Sequence, residues 1–103
     1  MTVQRFGLSK EHYGLIDELL FIPLREAGCD VAVFGSRARG DHREFSDLDV
    51  LVEGEVEAAV LARIRTELEE SLLPIRVDII PARELADTYR DSVQRELVRV
   101  WKR

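Results

Sequence analysis

Val31-Ala32-Val33-Phe34-Gly35-Ser36-Arg37-Ala38-Arg39-Gly40, followed five residues later by Ser46-Asp47-Leu48-Asp49-Val50-Leu51-Val52, is the stretch on which the fold turns. Its first four residues are apolar and largely β-branched, the signature of a short buried strand, and Gly35 ends that run abruptly. From Gly35 to Ser46 the chain is polar and rich in arginine, which predicts a loop with room for one helical turn. A second strand follows over 47–52. Side chains alternate across a strand, so Leu48, Val50 and Val52 share one face, and Asp47, Asp49 and Leu51 share the other.

Upstream, Ser9 is placed to cap a helix that continues through Leu15, Ile16, Leu19 and Leu20. Pro23 should kink or restart this helix, and Gly28 is suited to stop it. Downstream, Val56, Val60, Leu61, Ile64 and Leu68 form an apolar stripe that predicts a helix over 55–72, ended by Pro74. Glu55 and Glu57 suit its positive N-terminal end. Residues 75–80 read as a third strand, with Ile75, Val77 and Ile79 on one face and Arg76, Asp78 and Ile80 on the other. Leu85, Tyr89, Val93, Leu97 and Trp101 recur every four residues, which predicts a final helix, with a restart at Asp87 as a variant. The order helix, strand, strand, helix, strand, helix gives an α/β (α+β) fold. Helices would cover one face of a small mixed sheet and leave the other partly covered. A chain of 103 residues fits one domain over 1–103.

Asp47 and Asp49 resist a purely structural explanation. Aspartate is disfavoured in strands, and two carboxylates on one strand face repel each other unless a cation lies between them. Asp78 sits in its apolar strand in the same way. Three strand carboxylates on the uncovered face make a hard-oxygen site of the kind that suits Mg²⁺. Gly35 lets the backbone approach a phosphate, the Ser36 hydroxyl can donate to a phosphate oxygen, and Arg37 and Arg39 can neutralise its charge. A phosphate-cradling turn beside metal carboxylates supplies the parts of metal-assisted phosphoryl or nucleotidyl transfer.

Composition removes other classes. Hydrophobic residues are 46% of the chain and charged residues 34%, enough for a core and a solvated surface, so disorder is excluded. The net charge of −5 argues against direct nucleic-acid binding, which favours a basic surface. A single cysteine, Cys29, permits no internal disulfide and reads as a small apolar filler in a reducing, cytoplasmic setting. No apolar run is long enough for a membrane span or a signal peptide. His12 and His42 have no partners at zinc-ligand spacing. Asp41 and Glu44 read as solvated loop residues, and Tyr13, Tyr89 and Trp101 as core or interface aromatics. A domain of this size buries only about 60–65% of its unfolded surface, so support from a partner or from a second copy would fit.

Gly35-Ser36, ten intervening residues and then Asp47-Leu48-Asp49 resembles the signature of the polymerase-β-type nucleotidyltransferase superfamily. With Phe34 to Gly40 and Ser46 to Val52 around it, the string is similar to the minimal nucleotidyltransferases, or MNT domains. Four fixed residues at this spacing arise by chance in roughly one chain in a thousand. The resemblance runs from Phe6-Gly7-Leu8 to the final helix. It departs at Val98-Arg99-Val100-Trp101, where such proteins often carry a leucine-tyrosine pair. It implies a palm-like fold and one or two Mg²⁺ on Asp47, Asp49 and Asp78, which are the catalytic residues. It also implies ATP as substrate, with Gly35, Ser36, Arg37 and Arg39 as nucleotide-binding residues. Minimal domains of this kind often act as antitoxins beside a helical HEPN ribonuclease, some by transferring AMP to a tyrosine of that toxin. A lone small domain has nothing to hold an acceptor hydroxyl, so a partner protein would present it. Two alternatives stand beside this reading: a non-catalytic module that neutralises a toxin by occlusion, and a transferase acting on a small molecule such as an aminoglycoside or on an RNA end. A homo-oligomer is left open.

Overall fold

The computed structural model describes residues 5–101. Ser9 caps the first helix, α1 (Lys10–Ile16), by accepting the His12 amide at 3.1 Å. The expected interruption at Pro23 takes a specific form. The chain stays helical but widens into a π turn over Asp17–Phe21 before α2 (Ile22–Glu26), in whose first turn Pro23 lies. A proline there lacks only an N–H that a helix start leaves unpaired, so the helix restarts and does not end. Gly28, at φ 85°, stops it as expected, with its amide and that of Cys29 donating to Arg25 and Leu24 carbonyls.

Strands β1 (Asp30–Phe34) and β2 (Leu48–Glu53) pair antiparallel, and the one helical turn between them is α3 (Ser36–Arg39). Helix α4 (Ala58–Glu70) carries the chain across to β3 (Val77–Pro81), which pairs parallel with β2. Both elements are shorter than the pattern suggests. α4 begins after Glu57, which is its N-cap, and Ile75 lies ahead of β3, although it packs against the core.

The C-terminal end differs most from the expectation. Helix α5 (Asp87–Glu96) stops at Leu97, and Val98–Arg99 form a fourth strand, β4, antiparallel to β1. The four-residue spacing from Leu85 to Trp101 reads as one helix, but Val98 and Val100 flank Arg99 with the two-residue period of a strand. The open edge of β1 satisfies its hydrogen bonds there, Val100 N–H reaching Val31 O at 3.1 Å. The sheet order is β3-β2-β1-β4.

One face of this mixed sheet carries the core. Val31, Val33, Leu48, Val50, Val52 and Ile79 meet Ile16, Leu20, Phe21 and Leu24 of the first helical segment and Leu61, Ile64 and Leu68 of α4. Ala32 and Leu51, on the other face, are also buried, as is Val93 of α5, and they stand outside that cluster. Cys29 is buried with a free thiol. Among the described residues no helix is long and apolar enough to cross a membrane.

Candidate active site

The site lies on the second face of the sheet, at the end where β1 finishes and β2 and β3 begin. Strand register places Asp49 between Phe34 on β1 and Asp78 on β3. Asp49 and Asp78 therefore share one face, and Asp47 lies exposed just before β2. The Asp49 carboxyl is half-buried, and its pKa is raised above the ordinary aspartate value. Burial is the main cause, followed by repulsion from Asp78, Asp47 and Glu96; Arg39 opposes the shift.

Gly35 touches this carboxylate. Its φ is 77°, and a Cβ there would run into the Asp49 Oδ2 atom, so only glycine lets the turn close over Asp49. Ser36 opens α3 at the same point, and the Gly35 carbonyl accepts the Ala38 and Arg39 amides. Gly35 thus stands directly beside Asp49, with Ser36 next in the chain.

The two arginines part company. Arg39 is exposed and ion-paired with Asp41 at 3.1 Å and Glu96 at 3.0 Å, at the mouth of the site. Arg37 does not face a phosphate. It is 3% exposed, and its guanidinium donates to the carbonyls of Ser46 (2.9 Å), Phe6 (2.9 Å) and Glu44 (3.0 Å). Its nucleotide-binding assignment is corrected on that ground. Arg37 is a strut that ties the 40–47 loop and the N-terminal turn to α3, and the Ser46 carbonyl it holds directly precedes Asp47. Burial lowers its pKa without bringing it near neutrality in function, since guanidinium stays charged in proteins.

Asp41 pairs with Arg39 in the loop. Tyr13 stacks obliquely against Phe21 at 5.9 Å, and Trp101 packs on the core beneath the Arg25 guanidinium, whereas Tyr89 is exposed. Sequence reasoning missed Glu96, which accepts the Gly35 amide at 3.1 Å through one oxygen and Arg39 through the other. A signal for it existed: an acidic residue in the last turn of a helix opposes the helix dipole and needs another reason to be there.

Among the described residues, no three carboxylate, histidine or cysteine side chains stand together as a ready-made metal cage. Asp78 is drawn towards Arg76 at 3.3 Å. The donor chemistry nevertheless fits a hard divalent cation. Asp47, Asp49 and Asp78 offer only carboxylate oxygens, and their mutual repulsion at Asp49 is the strain that such an ion relieves.

The sequence model of the nucleotidyltransferase domain matches residues 15–100. The chain belongs to that family. This nucleotidyltransferase is 39% identical over 72 residues to protein adenylyltransferase MntA of Thermococcus cleftensis, 69% of this chain and 73% of the relative. A solved chain provisionally described as a minimal nucleotidyltransferase superposes with a TM-score of 0.65 at 35% identity, covering 95% of this chain and 98% of that one. A crystal structure of a toxin-antitoxin with AMP-PNP gives a TM-score of 0.64 at 20% identity, over 84% and 73% of the two chains, a likeness of fold alone.

Proposed function

We propose that this nucleotidyltransferase, one domain over 1–103, transfers AMP from ATP to a hydroxyl of a partner protein, and that the partner is a HEPN-type helical toxin that it restrains. The observation that carries the reading is Asp49: a half-buried carboxylate, registered against Asp78, that touches the glycine turn after β1. A module that only bound a partner would have no use for repelling carboxylates there. The adenylyltransferase name of the Thermococcus relative and the toxin-antitoxin with the same fold lend weight to the acceptor and the partner.

In this reading Asp47, Asp49 and Asp78 hold one or two Mg²⁺, and Gly35, Ser36 and Arg39 hold the triphosphate. Bound Mg²⁺ neutralises phosphate charge and lowers the pKa of the attacking hydroxyl. The acceptor hydroxyl would release its proton to solvent as its oxygen bonds to the α-phosphorus, and the bond from that phosphorus to the bridging oxygen would break to free pyrophosphate. The chain itself orients the phosphates through Gly35 and Arg39, and Arg37 holds the loop that delivers Asp47. The net charge of −5 disfavours an RNA acceptor, and the setting is cytoplasmic, where ATP is available and Cys29 stays reduced.

The test is labelling with α-phosphate-tagged ATP and Mg²⁺ in lysate of the source organism, comparing the wild type with the Asp47→Asn/Asp49→Asn double variant. A labelled protein band that needs the intact aspartates is the expected result, and its identity names the acceptor. Label on a small molecule would favour the aminoglycoside-type alternative. ATP binding without transfer to anything would favour the occluding module.

A further inference from the structure

Glu96 holds the two donors that the nucleotide reading assigns to phosphate. One carboxylate oxygen accepts the Gly35 amide at 3.1 Å, and the other accepts Arg39 Nη1 at 3.0 Å. A carboxylate bound by a backbone N–H and a guanidinium uses the same charge-assisted bonds as a phosphate oxygen. We propose that Glu96 is an internal anion at this cradle, displaced when the phosphates of a nucleotide bind; the inference rests on the nucleotide reading of Gly35 and Arg39.

Two features argue that Glu96 is there for competition and not for stability. It lies in the last turn of α5, where the helix dipole disfavours negative charge. It also adds to the negative field that raises the Asp49 pKa, so it stands among like charges. Among the described residues, the Gly35 amide and Arg39 are the partners that offset these costs, and both are groups a phosphate would take. Arg39 would not be lost with Glu96, because Asp41 holds its Nε at 3.1 Å from the other side. The cradle therefore stays assembled when its internal occupant leaves. Directly after Glu96 the chain turns at Leu97 into β4, which pairs with β1, the strand that leads into Gly35.

The experiment is titration of inorganic triphosphate into the full chain in metal-free buffer, by calorimetry, for the wild type, Glu96→Gln and Glu96→Asp. The Gly35 amide is followed by nuclear magnetic resonance. Glu96→Gln removes the competing charge and should bind triphosphate about fivefold more tightly, the effect of one screened charge contact. Glu96→Asp keeps the charge but is one methylene too short to bridge both donors, so it too should bind more tightly. In both free variants the Gly35 amide, deprived of its charged acceptor, should move away from its wild-type resonance position, and bound triphosphate should return it to a hydrogen-bonded one. Weaker binding by Glu96→Gln would overturn the proposal and make Glu96 a residue that positions Arg39. Tighter binding by Gln with Asp equal to wild type would also overturn it, because the effect would then be long-range charge alone. Equal affinity in all three forms leaves the nucleotide reading intact and removes Glu96 from it. Where no form binds without metal, the same comparison is read with Mg²⁺ present, and no binding to any form there overturns the nucleotide reading of the cradle and this inference together.

Discussion

Strand β2 has two faces that obey different rules. Leu48, Val50 and Val52 are fully buried against the helical layer, in a cluster that runs from Leu8 to Val100. One residue away on the other face, Asp49 is only half-buried and touches the Gly35 turn. The apolar face spends its residues on volume. The opposite face tolerates repulsion between carboxylates that does nothing for folding. The domain can bear that strain because most of its buried apolar residues lie on the other side of the sheet.

The sharpest way to probe the contrast is to damage each face in turn. Phe21→Ala removes a fully buried ring from the helical layer and should cost about 3–5 kcal/mol. That is a large part of the roughly 5–15 kcal/mol available to a domain. Urea unfolding should show a midpoint close to collapse; a near-normal midpoint would mean that the two faces share the stability. Asp49→Asn should do the reverse. The fold, read by circular dichroism, should persist, while Mg²⁺-dependent nucleotide transfer falls by more than the ~10–100-fold that follows loss of an outer-shell partner. Retained transfer would remove Asp49 from the metal site.

The same contrast explains what could be read without coordinates. Periodicity revealed the helical layer and the central strands, because apolar residues on one face leave a repeat of two or of 3.6 in the chain. Asp47, Asp49, Gly35 and Ser36 stood out because they contradict their surroundings. The C-terminal strand escaped notice because Leu97 and Trp101 continue a four-residue spacing by coincidence, while the reason for Val98–Arg99 to extend is the open edge of β1, distant in sequence. Glu96 escaped for a related reason: its partners, Gly35 and Arg39, lie some sixty residues away.

Arg37 and Arg39 repeat the comparison at close range, and sequence alone gave them the same role. On a single turn, alternate residues point in different directions, so one guanidinium enters the protein and the other faces the site. Arg37→Ala should leave the Ser46, Phe6 and Glu44 carbonyls without their donor and lower stability by about 2 kcal/mol, given ~1.5–3 kcal/mol for a hydrogen bond from a charged group. Arg37→Lys should recover little of it, since a point ammonium cannot serve three carbonyls fixed by a planar fork. Thermal melting of the two variants checks this; full recovery by lysine would show that charge, and not the fork, holds the loop. Arg39→Ala should leave melting almost unchanged, because its partners are solvent-exposed or lie at the site's mouth.

The smallest effect tests the strain itself. Because the folded-state pKa of Asp49 lies above its unfolded value, the folded protein binds more protons than the unfolded chain between those two values. Its contribution to stability is therefore lost as pH rises through that window, and at neutral pH the ionised carboxylate is a net burden. Asp49→Asn should then melt slightly higher than wild type at neutral pH in metal-free buffer. The gain should vanish below the ordinary aspartate value, where the carboxyl is protonated in both states. Saturating Mg²⁺ should reverse the order, because a cation bound only by the folded wild type stabilises it by mass action. A gain that persisted in acid would point to packing by the asparagine, and the two faces of β2 would then differ in shape alone.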